Sequence, residues 1–165
     1  MIRFSGTLPR VAAAIGAVML LSSSTSHADS GAFADYGGNW SGSGSITIAN
    51  GNGTSNERIR CRGQYTTSNG NNAVSINLRC ASDSYRFDLA SEVRSSGGQL
   101  SGSWTESSRN VSGSVEGRVA AGQVTALVQT NGYAATFNIS TRGNKQTIAI
   151  ASKGELRAVN ISLSR

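Results

Sequence analysis

The chain has 165 residues, among them 20 glycines, one proline, two cysteines and a single histidine, with a net charge of +6. That length suits one domain with its own core. A single histidine leaves almost nothing for histidine-based acid–base catalysis or the usual zinc sites.

Residues 1–28 read as a signal peptide. Arg3 and Arg10 give a positive start, Val11 to Leu21 form an apolar run, and Ser26-His27-Ala28 makes a small-x-small cleavage site. The apolar run is too short to span a membrane comfortably, so after cleavage no membrane span is expected. Cleavage would remove His27 and lower the charge to +4, which weakens any case for nucleic acid as a partner. The expected location is secreted or periplasmic, the expected state a monomer. In an oxidising compartment two cysteines normally form a disulfide.

Residues 29–37 read as a flexible lead-in, and 38–165 as one domain. From Trp40 onward the chain shows short runs of period-two alternation, separated by Gly, Asn and Ser turns. Ten strands are predicted, at about 40–49, 57–67, 73–81, 85–94, 99–105, 111–119, 123–130, 133–141, 145–151 and 156–164. The abundance of Ser, Gly, Thr and Asn disfavours helix.

In an antiparallel hairpin the turn determines which residues face each other, and facing residues share a side of the sheet. A four-residue loop from Asn69 to Asn72 puts Cys61 opposite Cys80 and Tyr65 opposite Ile76. A turn at Ser82-Asp83 puts Leu78 opposite Phe87 and Arg79 opposite Arg86. One at Ser107-Ser108 puts Trp104 opposite Val111 and Gly102 opposite Gly113. Turns at Ala121-Gly122, Asn131-Gly132, Gly143-Asn144 and Lys153-Gly154 align Val119 with Val124, Ala126 with Phe137, Ile139 with Ile148, and Ile148 with Val159. An Asn50–Asn56 loop puts Gly44 opposite Gly63. Each hairpin keeps one apolar face, which a one-residue slip would destroy. The prediction is all-β: an antiparallel up-and-down meander of ten strands closed into a barrel. Closure buries the apolar face and removes both sheet edges. A two-sheet sandwich is the alternative that alternation leaves open.

The first strand begins Gly38-Asn39-Trp40-Ser41-Gly42-Ser43-Gly44. A Gly-x-Trp start on a meander resembles the calycin group of barrels, and the longer Gly-x-Trp-x-Gly-x-Gly is similar to nitrobindin-type barrels. The resemblance implies that the tryptophan packs beside an arginine at the end of the last strand, here Arg165. Nitrobindin-type barrels hold haem through a histidine, and this sequence departs from them there: its single histidine, His27, leaves with the leader, so His-ligated haem is not expected.

Candidate sites follow from the faces. Ile46, Leu78, Phe87, Leu89, Trp104, Val115 and Phe137 point inward and could line a cavity for a small apolar ligand, open towards the Asn50–Asn56 loop. Alternatively Trp40, Trp104, Tyr65, Phe87 and Phe137 lean over inward glycines and fill the interior. Outside, Arg62, Arg79 and Arg86 form an expected three-strand arginine row, either a solvated face or a strip for an anionic envelope component. Serines lack a base, which leaves a carboxylate pair of Glu106 with Asp83 at one barrel mouth as the catalytic candidate. The expectation is therefore a non-enzymatic binding protein with no cofactor and no metal. It would hold a small apolar ligand inside the barrel or, alternatively, bind a protein or envelope partner through loops or the arginine row.

Overall fold

Alternation of apolar and polar residues, interrupted by turn residues, produces ten antiparallel strands in the computed structural model, which describes residues 30–165. They are β1 (Gly38–Asn50), β2 (Gly53–Ser68), β3 (Ala73–Ala81), β4 (Arg86–Ser96), β5 (Gln99–Glu106), β6 (Val111–Ala120), β7 (Gln123–Thr130), β8 (Tyr133–Arg142), β9 (Lys145–Ser152) and β10 (Leu156–Ser164). Each strand pairs with the next, and β1 pairs with β10, so the sheet closes into a barrel. The sandwich alternative is excluded by that closure. The expected leader lies outside the described residues.

The Asn69–Asn72 loop forms as expected: Ser68 faces Ala73, and Cys61 faces Cys80 with their Cα atoms 4.1 Å apart. The two cysteines are joined in a buried disulfide. Asn69, Gly70 and Asn71 all take positive φ, a conformation that Gly and Asn tolerate best. The turns at Ala121-Gly122, Asn131-Gly132 and Gly143-Asn144 also give the expected partners.

Three hairpins differ from expectation by a shift of two. Cys80 faces Phe87 and Leu78 faces Leu89, because β3 and β4 are joined by the four residues Ser82–Tyr85. The amide of Ser82 donates to the Tyr85 carbonyl, and the Ser82 hydroxyl accepts from the Tyr85 amide, closing the longer loop. Trp104 faces Gly113, and Gly102 faces Val115, because the loop is again four residues, Ser107–Asn110. Ile148 faces Ile161, since the link from β9 to β10 is Lys153–Glu155. A shift of two leaves every side chain on its expected face.

The β1–β2 link differs more. Both strands continue past the expected loop to a Gly51-Asn52 turn, so Gly44 faces Ile59 and Trp40 faces Gly63. Thr54 and Ser55 continue a ladder with Ala49 and Ile48 that needs no apolar partner to form.

Even-numbered turns of the meander, with both chain ends of the sheet, gather at one end of the barrel, here called the floor; the others form the mouth. At the floor, Ser41 faces Ser164, and Arg165 places its guanidinium carbon 5.0 Å from the centre of the Trp40 ring. The described part of the expected lead-in, residues 30–37, is packed against the barrel. Residues 30–37 turn across the floor with Phe33 and Tyr36 each only 1% exposed. The Phe33 amide donates to the Asn71 carbonyl, and the Gly143 amide to the Asp35 carboxylate, tying this segment to two separate turns.

Candidate functional site

Inward positions of the strands surround a cavity of about 400 Å³, sealed at the floor and open at the mouth. Phe33, Tyr36 and Tyr65 form its base; Leu78, Phe87, Leu89, Val115 and Phe137 are among its walls; Tyr85, Arg109, Tyr133, Glu155 and Leu156 stand at its mouth. Of the residues expected to line it, Ile46 does not: it is fully buried in the wall near β10, facing Val159. Trp104 does line it. The mouth is bordered by the Ser82–Tyr85, Ser107–Asn110, Asn131-Gly132 and Lys153–Glu155 links, not by the Asn50–Asn56 segment, which projects as the β1–β2 hairpin.

The interior glycines shape this space differently from either expectation. A methyl at Gly42, Gly44, Gly102, Gly113 or Gly117 would run into a backbone carbonyl of the adjacent strand. These positions let the strands coil closely together, as glycines inside strands often do. Gly113 is also covered by an aromatic, and so is a sixth inward glycine, Gly63. The Tyr65 ring would stand 2.7 Å from a Cβ at Gly63, and the Trp104 indole nitrogen 2.9 Å from one at Gly113. Leaning aromatics and a cavity therefore coexist.

At the base, polar groups are paired within the protein. The Tyr65 hydroxyl donates to Gln146 Oε1 at 3.0 Å, and Gln146 Nε2 donates to the Thr141 hydroxyl at 2.9 Å. Burial pushes the Tyr36 phenol up to about 12, partly offset by its hydrogen bond with Thr141, and pushes Tyr65 up as well. The Trp40 indole N–H donates to the Tyr36 carbonyl at 2.7 Å. In the wall beside Tyr133, the buried Trp104 indole N–H has no partner among the described residues.

At the mouth, Glu106 lies on the inward face and is 9% exposed. Its carboxylate accepts from the amides of Asp88 (2.8 Å), Ser108 (3.1 Å) and Arg109 (2.8 Å). Burial raises its pKa, and these donors more than offset that, leaving it below the ordinary glutamate value. Arg109 reaches back to 3.7 Å from this carboxylate and stacks 4.1 Å from the centre of the Tyr85 ring. Glu106 is thus occupied in holding the Ser107–Asn110 loop, and no contact links it to Asp83 as a carboxylate pair. That role was hidden in the sequence, because it depends on the four-residue loop.

Outside the barrel the arginine row is not continuous. Arg62 faces Arg79 as expected, but Arg79 faces Asp88 and its Nε lies 3.0 Å from the Asp88 carboxylate. Arg86 instead faces Ala81, the result of the two-residue shift.

No family model matches the chain, and no curated protein matches it in sequence. Among solved structures it is similar to the S-type phycobiliprotein lyase CPES from Guillardia theta, at 14% identity and a TM-score of 0.47, over 80% of this chain and 87% of that one. Among the described residues no group of three His, Cys, Asp or Glu side chains could hold a metal, and no helix is long and apolar enough to cross a membrane.

Proposed function

We propose that this protein is a non-enzymatic, calycin-like carrier that holds one small apolar ligand inside the barrel. The observation that carries this reading is the single-ended cavity. Its volume of about 400 Å³ falls within the ~300–1,000 Å³ range of small-molecule sites, which are commonly apolar with a few polar groups. Aliphatic and aromatic walls would take the body of the ligand, and Arg109, Glu155 and Tyr133 would meet any polar end at the mouth. The polar atoms at the base are paired with one another, which disfavours a strongly polar group at the inner end. The placement of Arg165 over Trp40 agrees with the calycin resemblance of the first strand. Haem held by histidine does not fit, since residues 30–165 contain none and both cysteines are in the disulfide. Export to the periplasm or beyond belongs to the same reading and rests on the leader pattern.

The test is uptake of the apolar fluorophore N-phenyl-1-naphthylamine, together with native mass spectrometry of the purified protein for a retained small molecule. Leu89 is half-buried and lines the cavity, so Leu89→Trp should occupy the space and abolish uptake without unfolding the barrel. A parent protein that takes up no probe and retains no molecule would end the carrier reading.

A further inference from the structure

The outward face of β2 carries Arg58, Arg60 and Arg62 at successive outward positions, all exposed. Side chains on one face of a strand recur at roughly 7 Å, so the three guanidinium groups form a ladder along the barrel wall. No ion pair joins any of the three to an acidic side chain among the described residues, whereas Arg79, one strand away, is neutralised by Asp88. Like charges set side by side on a sheet are destabilising, and serines occupy the facing positions of β1 without that cost. Ser45 faces Arg58, Ser43 faces Arg60 and Ser41 faces Arg62.

The ladder's surroundings narrow its partner. On its β1 side lie only serines, and beyond them the outward Asn160, Ser162 and Ser164 of β10. At the Arg62 end runs a shallow outer groove whose polar lining includes Asn39, Gln64, Asn77 and the paired Arg79–Asp88. Neither flank offers an aromatic platform for stacking bases or a patch of large apolar side chains for entering a membrane. What remains is a line of bidentate anion-binding forks bordered by hydroxyls and amides.

We propose that this strip binds a linear acidic polysaccharide. The arginines take its carboxylate or sulfate groups, and the serine and amide side chains take its hydroxyls. The site lies on the outer wall and is independent of the cavity.

The test titrates polygalacturonate onto the protein at low and raised salt, with neutral dextran as the control. Two charge-matched triples are compared: R58S/R60S/R62S, and R94S/R118S/R142S on the outward faces of β4, β6 and β8. The first should bind about tenfold more weakly or worse, the second within about twofold of the parent, and raised salt should weaken the parent. Retained uptake of the apolar fluorophore shows that the barrel is intact, so failure of this site and failure of the carrier reading are separable. Should the ladder triple not fold, Arg60→Glu is measured in its place with the same expected loss. The proposal is overturned if polygalacturonate does not bind, if dextran binds equally, or if both triples lose the same affinity. Tighter binding of phosphatidylglycerol vesicles or single-stranded DNA than of polygalacturonate would overturn it too.

Discussion

The two ends of the barrel are held by different physics. The floor is covered by burial: Phe33, Tyr36 and Trp40 are each at most 2% exposed, and the Arg165 guanidinium caps the Trp40 ring. The mouth stays open, and its rim is held by point attachments. Cys80 sits one residue from the end of β3 and is bonded to Cys61; Glu106 holds the Ser107–Asn110 loop; Glu57 accepts from the amide and hydroxyl of Ser84 in the neighbouring loop. An open end cannot be stabilised by packing across it without losing the cavity. Attachments that run along the rim leave the opening free.

The largest expected effect is at the floor. Trp40→Ala removes a side chain that packs beside Tyr65, donates to Tyr36 and supports Arg165. Loss of a buried aromatic of this kind should cost about 3–5 kcal/mol, measured by chemical denaturation. A cost below 1 kcal/mol would mean that the residue 30–37 segment holds the floor without it, and the contrast between the ends would fail.

Next comes the disulfide. Cys61 and Cys80 are 19 residues apart, and closing a loop of about that length should stabilise the fold by roughly 3 kcal/mol. Denaturation of the Cys61→Ser/Cys80→Ser variant would measure it. Faster exchange of the bound fluorophore in that variant would show that the bond also steadies the mouth.

The smallest effect concerns Glu106. Glu106→Ala should cost about 2 kcal/mol, because it leaves amide donors at the rim without their charged acceptor. A carboxyl with a lowered folded pKa contributes stability that is present above its unfolded value, near 4.5, and lost as pH falls through the folded value. Parent and variant stabilities should therefore converge on acidification below about pH 4.5. Glu57 is also lowered, by its hydrogen bonds to Ser82 and Ser84. It is present in both proteins, so the difference between them isolates Glu106. A gap that does not change with pH would mean that Glu106 acts through shape alone.

Side-chain faces were legible in the sequence, and loop lengths only partly so. Turns at Ala121-Gly122, Asn131-Gly132 and Gly143-Asn144 gave the right partners, because each carries a glycine that takes the positive φ a tight turn demands. Ser82–Tyr85 and Ser107–Asn110 carry no such signal. Glu57 and Glu106, which reach the loop amides from β2 and β5, hold them in their four-residue form. The arginine row suffered from the same cause: Arg86 moved one pair along and Arg79 met Asp88 instead. The folded lead-in was illegible for a related reason, since Phe33 and Tyr36 show no periodicity and find their partners on turns far along the chain.

By itself, then, the sequence determined that ten alternating strands have one apolar face and that Cys61 meets Cys80, because a period of two and a strong turn act over a few neighbouring residues. Only the tertiary structure decided the shifted registers of β1–β2, β3–β4, β5–β6 and β9–β10, the choice of barrel over sandwich, the plug of residues 30–37 and the cavity's open end. Those depend on side chains distant in sequence, such as Trp40 with Arg165 and Tyr65 with Gln146, that become neighbours only once the sheet has curled shut.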